Sequence, residues 1–198
     1  GRGAIGGTEL SGRQAFVTRA AGSLDQAIAC ELLGQGASLC CLDGGASEEQ
    51  LEGLYQTRES GARMTRSGAD FGDAGAFAEA LDGLVERPEK AAPPPGILIH
   101  RLCAPEHASE LPAALEELYA VGHAAARALP KRSRVVFVYD ARAGRTDPAA
   151  AMLRSSLGAY LRSLSKELGG RATTCHLIEL EADSRDLDAG RVAGFLCG

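Results

Sequence analysis

The feature that most constrains this chain is an alternation. Six short strand-like runs, at residues 15–17, 38–42, 63–67, 96–100, 135–139 and 173–180, the one at 63–67 weak, are each followed by a stretch with helical spacing of its apolar side chains. The first such stretch carries Leu24, Ala27, Ile28, Leu32 and Leu33 on one face and stops at Gly34 to Gly36. A second opens on Ser47-Glu48-Glu49-Gln50, which reads as a capping box, and the others cover about 73–85, 110–129, 148–168 and 189–196. Strands that alternate with helices in this way demand a parallel sheet with helices on both faces and right-handed crossovers. The fold class is therefore α/β: a doubly wound, Rossmann-like parallel sheet of about six strands.

At 198 residues the chain has room for one full domain. Residues 14–198 are expected to form it, behind a flexible, glycine-rich arm at 1–13. A net charge of -5, with no basic run, speaks against nucleic acid or an anionic membrane as the main partner. No apolar run reaches the length of a membrane span. Six cysteines without a CxxC spacing point to free thiols in a reducing, intracellular compartment, cytoplasm or organelle matrix, and no metal site is expected. The chain opens on Gly1 rather than Met, which fits a processed form or a fragment.

The β-strand, loop and helix from Gln14 to Ala29 have the layout of a nucleotide-binding unit, in which glycines let the loop approach a pyrophosphate at the helix N-terminus. Here the loop reads Thr18-Arg19-Ala20-Ala21-Gly22-Ser23-Leu24-Asp25. Together with LSGRQAFVT at 10–18, QAIACELLGQGASLCCLD at 26–43, Asp70 after the third strand and SLSKEL at 163–168, this resembles the short-chain dehydrogenase/reductase family over nearly the whole chain. RSLSKELGGRATT is also similar to the non-catalytic N-terminal half of long β-ketoacyl carrier-protein reductases.

Against that resemblance, the departures stand out. The loop's glycine positions hold Arg19, Ser23 and Asp25, and the NNAG run after the fourth strand is replaced by His100-Arg101-Leu102-Cys103. The family's catalytic serine falls on Ala141, and its tyrosine and lysine fall on Ala150 and Arg154. The substrate lid is expected to be missing, with only about ten residues between the sixth strand and the last helix and Ala182-Asp183 where the family has proline-glycine, and a seventh strand is not seen before Gly198. The resemblance thus implies a degenerate, catalytically inactive relative, a structural or accessory subunit of a homo- or hetero-oligomeric assembly, without a bound cofactor. Its protein contacts are expected through the alanine-rich helices 110–129 and 148–168, since small residues permit close helix approach.

Two other readings remain open. One is an NAD(P)-dependent oxidoreductase of carbonyl or 3-oxoacyl type that uses displaced residues such as Tyr139, Tyr160 or Arg154. The other is an adenine-nucleotide sensor, with Asp43 toward a ribose and Asp70 toward an adenine. Residual NAD(H) binding would rest on Arg19, Ser23, Asp25, Asp43 and Asp70, with Arg19 offsetting the carboxylate of Asp25 near the phosphates. Asp43 and Asp70 read more readily as turn-capping residues at strand ends, and His100 as a structural histidine.

Overall fold

The computed structural model of the chain describes residues 10–20, 22–43, 64–89, 91–141, 147–180 and Phe195. The helix expected from Ser47 lies outside them, as does the one over 189–196 apart from Phe195. Among the described residues, six strands form one sheet: β1 (Gln14–Val17), β2 (Ser38–Asp43), β3 (Met64–Ala69), β4 (Gly96–Cys103), β5 (Arg134–Asp140) and β6 (Thr174–Leu180). Their order is β3-β2-β1-β4-β5-β6, and every neighbouring pair is parallel. Helices α1 (Ser23–Gly34), α2 (Ala74–Leu84), α3 (Leu111–Ala128) and α4 (Pro148–Gly169) make the crossovers. The doubly wound α/β reading holds.

Side-chain alternation along the strands divides the core in two. Phe16, Leu98, Phe137 and Tyr139 pack with Phe77, Leu81, Val121 and Leu157 of α2, α3 and α4. Ala15, Val17, Ile97, Ile99 and Val138 pack with Ile28, Leu32 and Leu33 of α1 on the other side. Cys40 and Cys41 fall on opposite faces, as adjacent strand residues must. They and Cys30, Cys103 and Cys175 are all free thiols.

Local chemistry sets the ends of the elements. Gly36, at φ 84, takes the left-handed turn after α1, so that its N–H and that of Ala37 donate to Leu33 and Leu32. Asp73 caps α2 through Ala76 N–H, and Asp147 caps α4 through Ala149 N–H. The chain is held from Leu10 onward: Leu10 is buried, and its N–H donates to Gln35.

The alanines of α3 and α4 largely serve this chain's own packing. Ala120, Ala124, Ala125, Ala149 and Ala150 are buried within it, while Ala113, Ala151 and Ala159 are exposed, alongside Tyr119 and Met152. Among the described residues no helix is long and apolar enough to cross a membrane, and no group of side chains is placed to hold a metal ion.

β4 runs past His100 as far as Cys103, because Arg101, Leu102 and Cys103 continue the pairing with Val138, Tyr139 and Asp140. Strand order reverses between β1 and β4. In open sheets of this kind the carboxyl ends of the strands diverge at such a point and leave a crevice there.

Candidate functional site

The carboxyl edge of the sheet collects most of the charged side chains that the fold buries. Arg101, at the end of β4, reaches across to the first turn of α1 and grips Asp25 with both limbs. Its Nε is 2.8 Å from one carboxylate oxygen and an Nη is 2.7 Å from the other. Its second Nη lies 3.4 Å from Asp140 at the end of β5 and 3.2 Å from Cys103 Sγ. Burial works against the charge of Arg101, but the hydrogen bonds and charge of Asp25 outweigh it and hold the guanidinium firmly protonated. Burial also pushes the Cys103 thiol up, against the pull of Arg101.

A second cluster sits beside it. Arg19 pairs with Glu117 of α3, donates from Nε to the Arg101 carbonyl at 3.2 Å, and lies over the Phe71 ring. His100 is fully buried between Phe71 and Phe137, with Nδ1 2.7 Å from the Thr18 hydroxyl and Nε2 3.4 Å from Glu117. Burial first, and then the charges of Arg19 and Arg101, pull its pKa well below the ordinary value, so the ring is neutral. Burial raises the Glu117 carboxyl, while Arg19 opposes the shift. The reading of His100 as structural fits this setting.

At the ends of β5 and β6 lies an open cavity of about 750 Å³, lined by Tyr139, Ala141, Ala150, Arg154, Ser155 and Glu179 among others. Ala141, Ala150 and Arg154, the positions onto which the resemblance put the family's serine, tyrosine and lysine, line this one cavity. Arg154 pairs with Glu179 on β6. The Tyr139 hydroxyl donates to the Ala150 carbonyl oxygen at 3.0 Å, so a phenol from β5 comes to the turn where the resemblance expected one from α4. Burial raises its pKa, opposed by Arg154, and the phenol keeps its proton at neutral pH. Tyr160 lies elsewhere: its hydroxyl is 3.5 Å from the Tyr119 carbonyl of α3.

The remaining sequence candidates divide. Ser23 is exposed at the start of α1, and Arg19 and Asp25 stand beside it on the same edge. Asp70 is exposed, and its carboxylate accepts from Gly72 N–H at 2.8 Å, which makes it a turn residue. Asp43 ends β2, and its side chain is not among those described. Sequence reasoning missed Glu117 and the grip of Arg101 on Asp25. The one visible signal was an arginine directly after His100, at the mouth of the crevice.

The residues present fit the phosphates of a dinucleotide. Gly22 caps α1 with no side-chain hydrogen bond, and the guanidiniums of Arg19 and Arg101 lie on the same edge as this helix N-terminus. Asp25 is the obstacle. A Cβ at Gly22 would lie 2.7 Å from its carboxylate and 2.8 Å from Arg101, so the pair lies directly against the loop.

No family model matches the chain, and no curated protein does. Solved structures match it over almost its whole length. They include a short-chain dehydrogenase/reductase from Serratia marcescens, at 20% identity and TM-score 0.71, covering 96% of this chain and 90% of that one. A short-chain dehydrogenase from Burkholderia cenocepacia in complex with NADP matches at 21% identity and TM-score 0.71, over 95% of this chain and 90% of its own. A putative dehydrogenase from the same organism with bound NADP matches at 19% and TM-score 0.73, over 98% and 88%. The expectation of a catalytically inactive chain is corrected by these neighbours, which are themselves named as dehydrogenases and reductases; at 20% and 21% identity they show the fold alone. The expectation that no cofactor binds is likewise unsupported, since several of them hold NADP or NADPH. The six-stranded parallel sheet, with its crevice between β1 and β4, is thus the fold of the short-chain dehydrogenases/reductases.

Proposed function

We propose that this chain is an oxidoreductase that interconverts a carbonyl compound and its alcohol with a nicotinamide dinucleotide, using the Tyr139 phenol as the proton carrier. The observation that carries this reading is the buried Tyr139 phenol bordering the cavity at the ends of β5 and β6, with its hydroxyl 3.0 Å from the Ala150 carbonyl oxygen. The fold supports it too, since neighbours that share it are crystallised with NADP.

When bound, the cofactor supplies a hydride to the carbonyl carbon. The chain's own part is the proton. In reduction the Tyr139 O–H bond breaks as its proton passes to the carbonyl oxygen, and solvent then reprotonates the phenolate. Arg154 favours that phenolate by its charge. The first turn of α1, with Arg19 and Arg101, would hold the phosphates, and Asp43, which ends β2, would meet a ribose diol.

The test follows the absorbance of NADH and NADPH with the purified chain and a panel of aldehydes, diketones and an acetoacetyl thioester. Turnover is expected with at least one of them. Tyr139→Phe keeps the ring and removes the proton, and it should lower kcat about 100-fold, the lower end for general acid catalysis. Full activity in Tyr139→Phe, or no oxidation of either cofactor with any acceptor, would overturn the reading.

A further inference from the structure

The opposite, amino edge of the sheet carries a second cavity, of about 690 Å³. Its floor and one wall are apolar: Val85 at the end of α2, the Pro93-Pro94-Pro95 connection, and Ala128, Leu129 and Pro130 at the end of α3. Its rim is basic, with Arg87, Arg127, Lys131, Arg132 and Arg171. Among the described residues no carboxylate lines it, in a chain whose net charge is -5.

These five cations do different work. Arg87 is paired with Asp82. Arg171 donates to the carbonyls of Ala126 and Leu129, and so covers the negative end of α3, which would otherwise repel an anion. Arg127, Lys131 and Arg132 are exposed, and among the described residues their side chains enter no ion pair or hydrogen bond. Three unspent positive charges therefore stand around an apolar pit. The prolines give it a wall with little conformational freedom to lose on binding.

From this geometry we infer a second binding site, separate from the carboxyl-edge cavity, for a small amphipathic anion: a carboxylate, sulfonate or phosphate on an apolar body. The volume lies within the range of pockets that bury ligands of drug size. The apolar body lies against Pro93, Pro94 and Leu129, and the anionic head meets Arg127, Lys131 and Arg132. A neutral or cationic ligand of the same shape lacks the second half of this match.

Anilinonaphthalene sulfonate, a fluorescent anion with an apolar body, serves as the probe. The intact chain should bind it saturably at one site, more weakly as salt rises. Arg127→Glu with Lys131→Glu should weaken binding about tenfold or more, the loss of roughly 1.4 kcal/mol. Arg162→Glu with Lys166→Glu changes the net charge equally at two residues of α4 that do not line the cavity, and it should leave binding within about twofold. NADH and NADPH should not displace the dye. Circular dichroism of both double variants checks that they fold. Displacement by a dinucleotide, equal loss in both double variants, or no saturable binding would overturn the proposal. So would capture of an acidic peptide by a chain that takes no dye, since the surface would then serve a protein.

Discussion

At the scale of single residues, the most consequential assignment is His100. Thr18 holds its Nδ1, Glu117 faces its Nε2 with Arg19 behind it, and Phe71 and Phe137 close the sides. The folded chain keeps this ring neutral, with a pKa well below the ordinary 6.5 that the unfolded chain recovers. Below about pH 6.5 the unfolded state binds a proton that the folded state refuses, so stability falls with pH at up to about 1.4 kcal/mol per unit. His176, also lowered by burial, adds to the same trend, whereas the raised carboxyl of Glu117 opposes it. Urea unfolding from neutral pH downward should therefore show a falling midpoint, and His100→Asn should flatten the slope. An unchanged slope in that variant would assign the effect elsewhere.

At the scale of elements, the packing of α3 on α4 turns on one glycine. A Cβ at Gly122 would lie 2.0 Å from the Tyr160 hydroxyl oxygen and 2.7 Å from its Cζ, so α4's tyrosine rests on bare backbone. Gly122→Ala gains helix propensity but forces that ring aside. A net loss of about 1 to 3 kcal/mol is expected in denaturant unfolding. Adding Tyr160→Ala should recover part of it, and a double-mutant cycle with no coupling would show that the two residues do not meet. Elements such as these were legible in the sequence, because alternation and helical spacing are local: Phe16 against Ala15 and Val17, or Leu153, Leu157, Leu161 and Leu164 along α4. The partnerships were not legible. Asp25 and Arg101 are 76 residues apart and Thr18 and His100 are 82 apart, so no spacing rule links them. Tyr139 was a candidate in the sequence, but alternation placed it in the strand and nothing there marked the Ala150 carbonyl that its hydroxyl reaches.

At the scale of the whole molecule, the Arg101 to Asp25 pair ties the end of β4 to the start of α1 across the mouth of the crevice. A dinucleotide that seats its phosphates on α1 must part them, or share Arg101 with a carboxylate of its own sign. The free chain gains stability from a closed, partly buried ion pair, and the bound chain gains a ligand at the expense of that pair. Asp25→Asn separates the two contributions. Removing one partner of such a pair should cost the free chain about 3 kcal/mol, the lower end for buried pairs, since the Arg101 side chain is 17% exposed. The same change removes the repulsion and frees the guanidinium for phosphate. NADH or NADPH should then bind about tenfold tighter, or about 1.4 kcal/mol. Ligand that binds only the folded state adds stability by mass action. The variant should therefore start below the parent in thermal unfolding and close part of the gap as dinucleotide is added. Parallel rises in the two proteins would mean that Asp25 does not stand in the way of the phosphates, and that the ion pair serves only to hold α1 against the sheet.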